Sequence, residues 1–270
     1  MEFTNVLDAF SSLFTSAPLS KKSPIPVVVM ILSPHPDDES IVGALPLRLL
    51  HENNVHVVNV AVTLGSNEDR QEERLRELSE ACELLDVENV VLDESWAKKA
   101  KELKSLLQKY QPALVLAPHS KDHHPTHIRT GELLKKVLPQ SKQGPVLVAW
   151  TEFWGQMASP NLLVEVPREI LELQMRALEK HAGEVARNPY HLRLPAWMMD
   201  NVRRGAELIR GKGEAAPGFA FGVLYKLQLF KAGKFSTPKL RSPILPAEED
   251  LGQIFRLIFD AASGSRTRVK

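Results

Sequence analysis

The chain has 270 residues, with 34 Lys and Arg against 33 Asp and Glu and a formal net charge of +1. Such a balance offers no general electrostatic footprint for nucleic acid or an anionic membrane. At 43% hydrophobic and 25% charged residues, the composition is that of a globular protein with one large domain or two small ones. A solitary Cys82 excludes an internal disulfide framework and a Cys-rich zinc module, so any metal must be held by His and carboxylates.

Residues 1–26 read as an amphipathic extension, with Phe3, Val6, Leu7, Phe10, Leu13 and Phe14 at helical spacing. The helix is expected to pack on its own domain or to serve contacts between copies in a homo-oligomer. The basic start and unbroken apolar run of a secretory signal are missing. No stretch approaches the roughly 20 apolar residues of a membrane span, so a cytoplasmic protein is expected.

From residue 27 strand and helix alternate. VVVMILS (27–33) is a β-branched apolar run typical of a strand buried on both faces. A helix follows over 40–53, then the strand VHVVNVAVTL (55–64). The charged segment 70–86 places Leu75, Leu78, Cys82 and Leu85 on one helical face, with Cys82 as a small core residue. Next come the strand ENVVLD, the helix AKKAKELKSLLQKY, the strand ALVLAPH (113–119), the helix HIRTGELLKKVL and the strand PVLVAW (145–150). This alternation calls for right-handed crossovers and an α/β fold: a Rossmann-like three-layer sandwich with a mostly parallel sheet in the order 3-2-1-4-5. NLLVEV (161–166) adds a strand and PREILELQMRALEKHAGEV a helix. Residues 189–221 are rich in Gly, Pro and Arg and suit a helix plus a long loop over the carboxyl edge of the sheet, where a lid would sit. FGVLYKLQLF is a late strand, Leu251, Ile254, Phe255, Leu257 and Ile258 mark a terminal helix, and SGSRTRVK reads as a frayed tail. The regular alternation runs over 27–184, which the resemblance given below implies to be a catalytic core, and 185–270 read as a C-terminal elaboration of the same domain.

Two chemically loaded segments follow the first and fourth strands, which are neighbours at the point where the strand order reverses. The first is Ser33-Pro34-His35-Pro36-Asp37-Asp38-Glu39. An imidazole of His35 and a carboxylate of Asp38, three apart at the start of a helix, can face one point and need one more ligand for an open metal site. Asp37, adjacent to a ligand, is left free to act as a base. Asp-Asp-Glu alone would read first as a helix N-terminal cluster favoured by the dipole; the His-Pro before it and the histidines after the fourth strand turn the reading to a metal. The second segment, Pro118 to His127, holds four of the nine histidines: His119, His123, His124 and His127. His123/His127 and His124/His127 both have helical spacing, so spacing does not choose between them. Imidazole with carboxylate suits zinc, with another divalent transition metal as the alternative. No G-x-G-x-x-G, Walker lysine, H-E-x-x-H or nucleophile elbow is present.

His-Pro-Asp-Asp-Glu after the first strand, with His-Pro-x-His after a later one, resembles the LmbE/PIG-L family of zinc-dependent N-acetylglucosaminyl deacetylases, over about Val27 to Glu184. The resemblance implies His35, Asp38 and His127 as zinc ligands, Asp37 as general base, and His124 as the residue that stabilises the oxyanion and protonates the leaving amine. It implies a substrate or second-layer role for Asp122, and for Arg74 a place facing the site, Arg74 and Glu77 being similar to the family's R-x-x-E. Thr126 stands where the family usually has Asp, and Gly183-Glu184 replaces the Ser-Gln of an A-L-x-x-H-x-S-Q pattern that includes His181. The implied reaction is metal-assisted removal of an N-acetyl group from a small N-acetylglucosamine-containing molecule, releasing acetate and an amino sugar. The near-neutral total charge suits a small, largely uncharged polyol. An amidase for another N-acyl or thiol conjugate, and a catalytically weakened sugar-binding member, are the alternatives.

Overall fold

The computed structural model describes residues 3–14, 17–93 and 95–263. The elements, in chain order, are α1 (Phe3–Ser11), β1 (Val28–Ser33), α2 (Asp38–Val42), α3 (Ala44–Asn53), β2 (His56–Ala61), α4 (Gln71–Leu85), β3 (Glu88–Val91), α5 (Trp96–Tyr110), β4 (Leu114–Pro118), α6 (Pro125–Val137) and β5 (Val146–Thr151). The C-terminal part adds β6 (Leu162–Glu165), α7 (Arg168–Lys180), α8 (Ala182–Arg187), α9 (Tyr190–Arg210), β7 (Gly222–Lys231), β8 (Lys234–Ser236), β9 (Ile244–Leu245) and α10 (Arg256–Ser263).

Among the described residues the strands form one sheet in the order β3-β2-β1-β4-β5-β7-β6-β9, with β8 beside β7. The five strands from β3 to β5 are all parallel, in the order expected for this pattern of crossovers. β7 then runs antiparallel between β5 and β6. The C-terminal third therefore extends the same sheet. Alternation along the strands sends side chains to two cores. Val29, Ile31, Val57, Leu114 and Leu116 join α3 and α7 residues such as Leu45, Leu49, Leu171 and Leu178. Met30, Leu32, Val58, Val60 and Val115 join Leu103 and Leu107 of α5 and Leu134 and Val137 of α6. Burial on both faces is why the sequence shows continuous apolar runs rather than alternation.

The expected single helix over 40–53 is two helices. The break falls at Gly43, where a Cβ would stand 2.2 Å from Glu39 O. The buried Tyr225 hydroxyl fills the break, donating to Val42 O and accepting from Leu45 N–H, both at 3.1 Å. Residues 189–221 have the expected helix and loop, and Tyr190 at the start of the helix lines the cavity described below. They are the 21-residue helix α9, with Met198 and Val202 buried, and a loop whose exposed residues 211–216 lie away from that cavity. At the N-terminus Leu7 is buried and Asp8 pairs with Arg168 of α7 at 2.7 Å, while Phe10, Leu13 and Phe14 are exposed. The side chains of Phe3 and Val6, and the tail 264–270, lie outside the described residues. No described helix is long and apolar enough to cross a membrane.

Candidate metal centre and active site

β1 and β4 are hydrogen-bonded neighbours whose following chains turn to opposite sides of the sheet, opening a crevice at their carboxyl ends. Some 80 residues of sequence separate the two motifs, and this crevice brings them together. His35, His124 and His127 each offer a ring nitrogen, all within 4.8 Å of one another. Asp38 Oδ2 lies 3.5 Å from His35 Nδ1 and 3.5 Å from His127 Nε2. Two atoms each about 2.0–2.1 Å from one tetrahedral ion stand about 3.3–3.4 Å apart, so these spacings fit a shared cation. His127 Nε2 is buried without a hydrogen bond among the described residues, as a ligand atom awaiting an ion would be. Asp38 Oδ2 also accepts the His35 N–H at 2.9 Å. Burial alone would raise the Asp38 carboxyl, but His127 and His35 hold it down at about 2.

Of the two places expected for Asp122, its geometry matches the one behind the cluster rather than a wall of the cavity described below. Its side chain is buried, Oδ1 accepts the His124 N–H at 2.8 Å, and Oδ2 is 3.7 Å from His127 Nδ1. It thus sits behind His127, on the ring nitrogen opposite the cluster, where a carboxylate orients a ligating imidazole. His119 hydrogen-bonds Gly155 O at 2.7 Å, and His123 is exposed and does not line the cavity. Of the two helical pairs in the second motif, only His124/His127 converges with His35.

Asp37 is the N-cap of α2 at φ 115°, a left-handed backbone that costs a non-glycine residue of order 1–3 kcal/mol. Its N–H donates to Glu39 Oε2 at 3.0 Å, and Glu39 Oε1 accepts from Ser40 Oγ at 2.7 Å and from His181 Nε2 at 2.8 Å. Burial, reinforced by the Asp38 and Glu39 charges, pushes the Asp37 carboxyl well up, and Arg74 opposes that shift. His124 caps α6, its Nδ1 accepting the Thr126 N–H at 3.3 Å, which leaves the ring proton on Nε2. Burial and the neighbouring His35 and His127 lower its pKa. The backbone of Thr126, rather than its hydroxyl, is what meets His124.

The cluster opens into a cavity of about 610 Å³. Arg74 lines it, reaching Pro36 O at 3.0 Å and Glu184 at 3.7 Å rather than pairing with Glu77, which accepts the Gly183 N–H at 3.0 Å. Arg70, Trp96, Arg129, Trp154, Arg187 and Tyr190 complete the walls, and sequence reading had not singled them out. Arg70, the N-cap of α4, stands at i, i+4, i+7 spacing with Arg74 and Glu77, a signal that could have found it.

Residues 30–138 match the family model described as PIG-L: GlcNAc-PI de-N-acetylase. This stretch is a PIG-L family domain. It spans β1 through α6, and so holds both motifs of the candidate metal cluster. A relative, the diacetylchitobiose deacetylase of Thermococcus kodakarensis, is 25% identical over 223 residues, covering 71% of this chain and 83% of its own. Two solved structures share the fold. The N,N'-diacetylchitobiose deacetylase of Pyrococcus horikoshii aligns with a TM-score of 0.57 at 21% identity, over 74% of this chain and 83% of that one. GalB of Pseudomonas putida KT2440, a 4-carboxy-2-hydroxymuconate hydratase, aligns with a TM-score of 0.59 at 15% identity, over 80% and 98%. A hydratase and a deacetylase on one fold mean that the chemistry must be argued from the site.

Proposed function

We propose that the protein is a metal-dependent deacetylase that hydrolyses the N-acetyl group of an amino sugar, releasing acetate and the free amine. The observation that carries this reading is the placement of Asp38 Oδ2 at 3.5 Å from both His35 and His127, with the strained, buried Asp37 beside it. His35, Asp38 and His127 would hold the cation, zinc being the best match to two imidazoles and a carboxylate. A bound ion would supply the positive charge that acidifies water and polarises an acyl oxygen.

The chain's own groups account for the proton movements. Asp37, held above the ordinary carboxylate range, takes a proton from the attacking water and returns one to the departing amine. His124, neutral with its proton on Nε2, donates a hydrogen bond to the oxygen on which charge develops. This replaces the expected imidazolium, because a ring whose Nδ1 caps a helix N-terminus loses that hydrogen bond on protonation. Trp154, 44% exposed and edge-on to Tyr190, offers an aromatic wall for the apolar face of a sugar ring.

Purified protein should release acetate from N-acetylglucosamine glycosides and lose that activity in chelator. Asp37→Asn should retain metal and lose about 10²–10⁴-fold in kcat, the usual contribution of a general base. Asp38→Ala should lose metal, whereas His124→Ala should keep it while turnover falls. Metal loss in His124→Ala with retention in Asp38→Ala would reverse the ligand assignment, and acetate release indifferent to chelator would overturn the reading.

A further inference from the structure

The cavity wall carries more positive charge than the reaction requires. Four arginines line it: Arg70, Arg74, Arg129 and Arg187. The only carboxylate among the lining residues beyond Asp37 and Asp38 is Glu184. Glu184 is shared three ways, standing 3.5 Å from Arg70 and 3.7 Å from Arg74 and hydrogen-bonded to Arg187. Arg70 also pairs with Glu73 at 3.1 Å and Glu77 at 3.6 Å, neither of which lines the cavity, while Arg74 Nε is buried without a hydrogen bond among the described residues. Across the cavity Arg129 lies over the Trp96 ring, 3.8 Å from its centroid, and pairs with no carboxylate among the described residues. Stacking on an indole holds a guanidinium in place while leaving its in-plane donors open to a ligand.

The arrangement also accounts for the departure at Gly183-Glu184. A Cβ at Gly183 would stand 1.7 Å from Arg70 Nη2, so glycine is what admits the Arg70 guanidinium to this wall. Acid at Glu184 in place of an amide anchors three arginines at once. Guanidinium donors that face a cavity without a protein partner are placed to receive an anion.

We infer that the substrate carries an oxyanion, a phosphate or a carboxylate, on the part of the molecule remote from its N-acyl group, and that Arg129 on one wall and Arg70 and Arg187 on the other bind it. This rests on the hydrolytic reading above and replaces the uncharged polyol that the chain's total charge suggested. Planar forked donors recognise either oxyanion in the same way, so the two are separated by experiment.

The experiment compares three substrates: the methyl glycoside of N-acetylglucosamine, its 1-phosphate, and its carboxymethyl glycoside. Chelator-sensitive acetate release is measured for each, with calorimetric binding of the 1-phosphate in parallel. At least one anionic compound is expected to exceed the methyl glycoside in kcat/KM, and the better of the two names the group. That preference should shrink about tenfold in Arg129→Ala and in Arg187→Ala, the size of a lost charge-assisted hydrogen bond, and should weaken as salt rises. Both side chains are exposed, so neither variant threatens the fold. Equal turnover of all three, or a preference that both variants preserve, overturns the inference and leaves the deacetylase reading standing. If no glycoside releases acetate, the deacetylase reading fails. The anion site then stands if the 1-phosphate binds and Arg129→Ala weakens it, and falls if it does not bind.

Discussion

At the scale of single residues, Asp37 combines a backbone of φ 115° with a carboxyl that burial and two neighbouring acids push up. Neither feature would persist alone. The Glu39 carboxylate holds the Asp37 N–H, and His181 from the end of α7 holds Glu39. Burial would raise Glu39, but the His181 charge and hydrogen bond, with Ser40 and the Asp37 N–H, bring it below the ordinary value. Glu39 therefore stays charged and adds to the repulsion that lifts Asp37. Arg74 acts in the opposite sense and lowers Asp37. Since the base must be deprotonated to work, removing that positive charge raises its pKa further. Arg74→Met should accordingly move the acid limb of the kcat/KM profile to higher pH, and a shift toward lower pH would contradict the assignment of Asp37 as base.

Among the elements, the short α2 decides where the first motif points. It stops after five residues because Gly43 must approach Glu39 O and because the Tyr225 hydroxyl occupies the break. α7 fixes it from the side, with Gln174 Nε2 donating to Ser40 O at 2.7 Å. Tyr225→Phe removes one partner from two buried backbone groups. It should lower the unfolding free energy by about 1–3 kcal/mol, seen as a shift in denaturant midpoint at constant slope. An unchanged midpoint would show that the break is held by packing alone. The loop between β5 and β6 is fixed in a comparable way. Glu152 accepts the Met157 N–H at 2.5 Å and pairs with Arg204 of α9, and His119 holds Gly155 O, which keeps Trp154 at the cavity mouth.

For the molecule as a whole, the metal is expected to act on stability as well as on turnover. The ligands proposed for it come from α6 and from the loop and helix after β1, and they assemble only when the β1–β4 crevice forms. An ion that binds the folded chain alone therefore stabilises it, by about 2.7 kcal/mol at one hundred times its dissociation constant. Chelator should lower the melting temperature and added zinc should restore it. A melting temperature indifferent to both would mean that no cation binds at this cluster. The same dependence on folding explains what could be read in advance. β1 through α6 follow from local periodicity, and the His-Pro-Asp-Asp-Glu and His-Pro-x-His motifs are contiguous, so strand order and the two segments that meet at the crevice were legible. The break at Gly43 and the Arg129/Trp96 stack were not. Each depends on an atom supplied from a distant part of the chain or on which way a side chain turns.

Local pattern carried the α/β alternation, the five-strand parallel order and the chemical character of the site, because hydrophobic period and motif spacing act over a few residues. Tertiary structure alone decided that β7 runs antiparallel between β5 and β6, that His124 rather than His123 joins the cluster, and that an overall charge of +1 conceals four arginines around one cavity. Total charge is a sum that carries no positions. The field a substrate meets is set by which guanidiniums the fold gathers on one wall and which carboxylates it leaves elsewhere.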